Sequence, residues 1–127
     1  MERIGTLGWL DLTVPDASRL RDFYADVVGW KVSEVPMGDY SDFCMIPPSH
    51  EEPVAGVCHA RGANADLPAV WLIYFVVASL QESTRKAVAR GASILKGPVE
   101  AGGMGRYCVI RDPAGAVAAL FERARAD

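Results

Sequence analysis

An order of local patterns that occurs twice restricts the folds open to this 127-residue chain more than any other feature. From Thr6 to Val14, residues Leu7, Trp9, Asp11 and Thr13 alternate with Gly8, Leu10, Leu12 and Val14, the period of a strand whose two faces meet different surroundings. Pro15 stops that strand and Asp16 is placed to cap a helix. Ala17, Leu20, Phe23, Tyr24, Val27 and Val28 then recur at helical spacing until Gly29 ends the run. Short strand-like runs follow at Trp30 to Val35, Tyr40 to Ile46 and Val54 to Ala60, separated by Met37-Gly38-Asp39 and by a Pro47-Pro48 segment. The pattern then begins again. Trp71 to Val77 reads as a strand, Ser79-x-x-Glu82 as a capping box and Gly91 as the end of a helix. Ala92 to Gly97, Gly105 to Ile110 and Ala116 to Glu122 supply three more strands, with Gly97-Pro98 and Asp112-Pro113-Ala114-Gly115 as turns. Setting Val14 on Val77 and Gly29 on Gly91 leaves a difference of one residue across the helix. The predicted fold class is α+β: one domain over 1–127, made of two βαβββ modules at about 4–60 and 69–124, with a polar linker at 61–68.

A half-sheet carrying one helix has a second face to cover, and two curved mixed sheets facing each other would enclose a cleft fit for a ligand. Composition narrows the partner. Asp plus Glu outnumber Lys plus Arg by 16 to 13, the wrong balance for neutralising phosphates, so no nucleic acid is expected. The longest strongly apolar stretch, Ala69 to Leu80, falls well short of the roughly 20 residues of a membrane-spanning helix, so no membrane is expected either. The first residues lack the apolar run and cleavage site of a secretory signal, and Cys44, Cys58 and Cys108 are odd in number and far apart. They read as reduced core thiols of a cytoplasmic protein. The competing reading makes one of them a nucleophile or metal ligand, but there is no C-x-x-C pair. The adjacent Cys58 and His59 would point to opposite faces of a strand.

Several short motifs occur in a fixed order: W-x-D-L-x-V-x-D at Trp9 to Asp16, Phe23-Tyr24, Gly29-Trp30, and V-A-G at Val54 to Gly56. The second half adds W-x-x-Y-F-x-V at Trp71 to Val77, Gly91-Ala92, G-x-G-R at Gly103 to Arg106, and D-P-x-G at Asp112 to Gly115. In this order, across nearly the whole chain, they resemble the vicinal oxygen chelate superfamily of glyoxalases, extradiol dioxygenases and bleomycin- or fosfomycin-resistance proteins. The resemblance implies paired modules whose concave sheets form a pocket, often completed in a homodimer. It also implies, for metal-using members, four ligands from the first and fourth strands of each module. Those positions fall on Trp9, Gly56, Leu72 and Ala119, and none of these side chains holds a divalent metal. The expectation is therefore no metal and no cofactor.

If the carried positions face a cavity, strand parity adds neighbours to form a wall of Trp9, Asp11, Thr13, Val54, Gly56, Cys58, Leu72, Tyr74, Val76, Val117, Ala119 and Phe121. Such a wall suits a flat or greasy small molecule, and the same residues would also serve as plain core. Arg106 is a candidate to point a guanidinium at a ligand carboxylate, or else to form a surface salt bridge. It stands at the base of Gly102-Gly103-Met104-Gly105, which is expected to be a rim loop: no Lys-Ser/Thr follows it and the next element is a strand. Asp11 is the best catalytic candidate, as a general acid or base or an anchor for a cation. The alternative is that it accepts hydrogen bonds from backbone, Tyr74 or Arg106 and fixes the strand. His50 reads as a solvated loop residue. His59 reads as a neutral structural histidine or, with Asp11 and another carboxylate, as a metal ligand. The expected function is metal-free binding of a small aromatic or apolar molecule in the inter-module cavity, of the resistance or sequestration kind. The alternatives are a glyoxalase-like lyase, isomerase or dioxygenase-type enzyme using Asp11 or a non-standard metal site, and a dimer with a vestigial cavity.

Overall fold

Capping chemistry ends the elements where the sequence signals them. In the computed structural model, which describes residues 3–62 and 65–124, strand β1 (Leu7–Val14) leads into helix α1 (Ala17–Val28). The Asp16 side chain accepts from the Arg19 amide at 3.2 Å, and Gly29 closes the helix at φ 87 with its N–H on the Ala25 carbonyl. Strands β2 (Lys31–Pro36), β3 (Ser41–Ile46) and β4 (Ala55–His59) follow. The second set is β5 (Trp71–Val76), α2 (Leu80–Ala89), β6 (Ser93–Glu100), β7 (Gly105–Arg111) and β8 (Val117–Arg123). Ser79 caps α2 by accepting from the Glu82 amide, while the Glu82 carboxylate turns to Arg85, one turn on, instead of back toward Ser79. Residues 63 and 64 of the expected linker, and 125–127 of the charged carboxyl end, lie outside the described residues.

The order in space repeats as the sequence does. β2, β3, β4 and β1 lie side by side with β1 parallel to β4, and β6, β7, β8 and β5 lie side by side with β5 parallel to β8. Contacts group the chain into two units, Leu10–Trp71 and Leu72 onward together with the opening residues through Trp9. The division runs through β1, because Gly5 and Thr6 exchange backbone hydrogen bonds with Val76 in the second group.

In the Leu10–Trp71 unit, α1 seals one face over Leu12, Val14, Ala17, Phe43, Met45 and Val57, all buried. Leu20, Tyr24, Trp30 and Trp71 pack against this cluster. Trp71 donates its indole N–H to the Tyr24 hydroxyl at 3.1 Å, and its ring stands edge-on to Tyr24 at 5.1 Å and to Trp30 at 6.2 Å. Trp30, expected to open a strand, is instead part of this aromatic packing. β2 begins one residue later and is exposed throughout, as befits a sheet edge.

The clearest departure from the sequence reading is at Gly97-Pro98. These residues lie inside β6, not in a turn, because β6 is an edge strand whose pairing with β7 slips twice between Ile94 and Val99. A bulged edge tolerates a proline that cannot donate to the ladder.

Gly105, at φ 142, leaves no room for a side chain: a Cβ there would lie 2.2 Å from the Glu122 carbonyl oxygen. Gly38, at φ 99, has open space around it. Gly105→Ala is expected to cost at least about 2 kcal/mol and Gly38→Ala about 1 kcal/mol. Urea denaturation of the two variants checks this, and equal losses would contradict the close approach at Gly105.

Candidate functional site

Strand pairing decides which expected site residues share a surface. In the Leu10–Trp71 unit, Asp11 stands opposite Gly56, Gly56 opposite Cys44, and Cys44 opposite Ser33, while Thr13 stands opposite Cys58. Residues paired in this way point to one side of a sheet. Leu12, Val57 and Phe43 point to the other side, under α1. The face without the helix therefore carries Asp11, Thr13, Gly56 and Cys58, four of the expected residues, and adds Cys44 and Asp42. Alternation along Tyr40 to Ile46 puts those last two on a common face, and the pairing of β3 with β4 decides which face that is. Trp9, two positions before Asp11 in β1, falls in the other unit.

Asp42 organises the end of this face. Its buried carboxylate accepts the His59 backbone N–H at 2.8 Å and lies 3.4 Å from His59 Nδ1. The same carboxylate is near enough to the Cys58 thiol to disfavour its charged form. Cys58 and His59 do pair on opposite sides, with Thr13 and Val14 respectively, yet one carboxylate near the start of β3 holds His59 and acts electrostatically on Cys58. His59 is held by Tyr40, edge-on at 5.3 Å, and by Phe43 at 6.1 Å. His50 is exposed, with the Ser49 hydroxyl 3.1 Å from its Nδ1.

Burial pushes the Cys58 thiol far above its ordinary pKa, and the carboxylates of Asp11 and Asp42 push the same way. Burial also raises Cys44 and Cys108. All three cysteines are free. The face thus presents sulfur whose thiolate form is disfavoured, beside carboxylate groups.

In the other unit, Tyr74 stands opposite Ala119 and Val76 opposite Phe121, and β7 adds Val109 and Tyr107 in register. The Tyr74 and Tyr107 rings meet at 5.4 Å. Leu72, Tyr74, Tyr107, Val109 and Ala119 are buried, while Val117 and Phe121 are half-buried. Tyr107 belongs to this face and was not anticipated. Arg106, its neighbour, is turned the other way: it stands opposite Glu122 on the side of α2, where the Glu122 carboxylate accepts the Leu80 amide at 2.6 Å. Strand parity thus separates Arg106 from the surface it was expected to join. The Gly102-Gly103 turn borders a hollow of about 380 Å³ with Glu100, Arg106, Glu122 and Arg123.

The donor set does not fit a catalytic metal. Trp9, Gly56, Leu72 and Ala119 offer no ligating atom, and among the described residues no three His, Cys, Asp or Glu side chains are grouped to hold an ion. Among the same residues no helix is long and apolar enough to cross a membrane.

The family model described as Glyoxalase/Bleomycin resistance protein/Dioxygenase superfamily matches residues 6–120. The chain belongs to this superfamily. Among its relatives is the anthracycline biosynthesis protein DnrV of Streptomyces peucetius, 30% identical over 94% of this chain and 47% of that protein. CFP32 of Mycobacterium tuberculosis is 28% identical over 97% of this chain and 48% of its own length. The chain spans about half the length of these relatives. Similar solved structures include methylmalonyl-CoA epimerase from Mycobacterium tuberculosis, with a TM-score of 0.57 and 17% identity, covering 98% of this chain and 94% of that one. A variant of homoprotocatechuate 2,3-dioxygenase from B. fuscum has a TM-score of 0.55 and 17% identity, covering 96% and 33%. At such identities these likenesses establish the shared fold, with its βαβββ modules.

Alkylation tests the electrostatics of the helix-free face. At pH 8 Cys58 is expected to react with iodoacetamide at least about tenfold more slowly in the native protein than in denaturant, since the thiolate is the reactive form. Asp42→Asn keeps an oxygen for the His59 amide, removes a charge, and should speed the native reaction a few-fold. Peptide mass spectrometry reads both, and native labelling as fast as denatured would contradict the raised pKa.

Proposed function

We propose that this superfamily member binds a small aromatic or apolar molecule, and that Asp11, Thr13, Gly56 and Cys58 contribute to the site together with Cys44. The observation that carries the reading is the composition of the helix-free face. Asp11, Cys44 and Cys58 are each partly exposed there, beside a glycine that adds no side-chain bulk. Polarisable sulfur favours aromatic contact, and the carboxylate orients a donor group. The relationship to DnrV lends support, since anthracyclines are fused-ring aromatic compounds. In the other unit, the buried aromatic pair Tyr74 and Tyr107, with Trp9, Leu72, Val117, Ala119 and Phe121, offers an apolar surface of its own.

The same reading takes the whole of 1–127 as one functional domain acting as a metal-free cytoplasmic homodimer. Three free cysteines suit a reducing compartment. Phe23, Val27 and Val28 expose apolar surface on α1 to a second copy. A second reading, an enzyme of the lyase, isomerase or oxygenase type with Asp11 as acid or base, is favoured by the closeness of Asp11 to the half-buried Cys58 thiol.

Thermal denaturation with a panel of fused-ring aromatic compounds separates these readings. A ligand at a hundredfold excess over its Kd adds about 2.7 kcal/mol and raises the melting temperature by several degrees. Gly56→Leu, at a buried position, should lower the ligand-free midpoint and abolish the rise measured from that midpoint, and the compound should be recovered unchanged. Recovery of a converted compound, lost in Asp11→Asn, would favour the enzyme. A flat response across the panel would count against both.

A further inference from the structure

On the α2 side of the second unit lies a hollow of about 330 Å³, lined by Leu80, Gln81 and Thr84 from the start of α2, Ile94, Gly97 and Pro98 from β6, and Arg106 and Cys108 from β7. It is separate from every residue of the face proposed above. Its size falls at the lower end of the roughly 300–1,000 Å³ of small-molecule pockets. Three features give it chemistry. Leu80, Ile94 and Pro98 supply an apolar wall, and Leu80 is fully buried, so the α2 side of that wall is rigid. The bulged stretch of β6 carries Gly97 and Pro98, and a Cβ at Gly97 would strike the Tyr107 carbonyl oxygen at 2.7 Å, so this border is fixed by a glycine that cannot be replaced without displacement. Bulges commonly accompany sites because they re-aim the chain beside them.

The third feature is Arg106. It is half-buried and stands in register between Glu100 on β6 and Glu122 on β8. Among the described residues it forms an ion pair with neither. Glu122 is committed through one oxygen to the Leu80 amide, and both acids border the neighbouring hollow, not this one. Arg106 lines both hollows, and no acidic side chain lines the one under α2. Cys108, beside Arg106, is a buried thiol held protonated, so it brings no negative charge. A planar guanidinium has five donors and pairs best with a carboxylate through two parallel hydrogen bonds.

We infer that this hollow binds a small carboxylate with a short apolar tail, the carboxylate on Arg106 and the tail between Leu80, Ile94 and Pro98. A cation is opposed by Arg106, and a ligand without charge leaves the guanidinium unused.

Titration of the nitrogen-15-labelled 127-residue chain with benzoate, followed through backbone amide shifts, tests the assignment, with benzamide as the neutral probe of equal shape. Benzoate should give saturating shifts at Thr84, Gly97, Arg106 and Cys108. Benzamide and the Arg106→Gln variant should each bind at least about tenfold more weakly, and Arg106→Lys should fall between. If Arg106→Gln loses its dispersed spectrum, the comparison of benzoate with benzamide in the unaltered chain decides. Equal affinity for the two probes, unaltered benzoate binding in a folded Arg106→Gln, or no saturating shift at these four amides would overturn the inference. Saturating shifts confined to Thr13, Gly56 and Cys58 would overturn it too, while supporting a ligand on the helix-free face.

Discussion

One helix seals one face of a four-stranded half-sheet, and the rest of this structure follows from what that leaves open. In the Leu10–Trp71 unit α1 covers Leu12, Val14, Phe43, Met45 and Val57. Side chains one residue out of phase are left on the other face, and they are the ones with chemistry: Asp11, Thr13, Cys44 and Cys58. Because adjacent residues on a strand point to opposite faces, core and candidate site are interleaved along the same strands. A change of one residue in register would exchange them.

The electrostatics of that face are set by burial more than by pairing. The Cys58 thiol has its charged form disfavoured by burial and nearby carboxylates, and Asp42 accepts from the His59 amide with the His59 ring beside it. A buried carboxylate with several donors is a fixed acceptor. It fastens the start of β3 to the end of β4, and in doing so orients His59 between Tyr40 and Phe43.

Much of the fold was legible in the sequence because it rests on short-range signals. Asp16, Gly29 and Ser79 act as caps through their own side chains or their own φ, and the repeat fixed which strands correspond. The site was legible only in part. Parity along β1 and β4 assembled Asp11, Thr13, Gly56 and Cys58, whereas Cys44 and Asp42 needed the pairing of β3 with β4. Arg106 and Tyr107 were exchanged: a loop of glycines precedes them, and phase cannot be carried through residues with free backbone angles. Gly97-Pro98 looked like a turn because both residue types interrupt strands, and only an edge position with a bulged partner makes them part of one.

The sequence by itself determined the two βαβββ modules and the caps that bound their helices. These depend on residue identity and spacing alone. Only the tertiary structure decided that Asp42 joins Cys58 and His59, that Trp71 closes the aromatic packing on Tyr24 and Trp30, and that Arg106 opens onto the hollow beneath α2. Each of these joins residues through strand register or packing between distant segments, and no local pattern encodes which residue of one strand faces which residue of another.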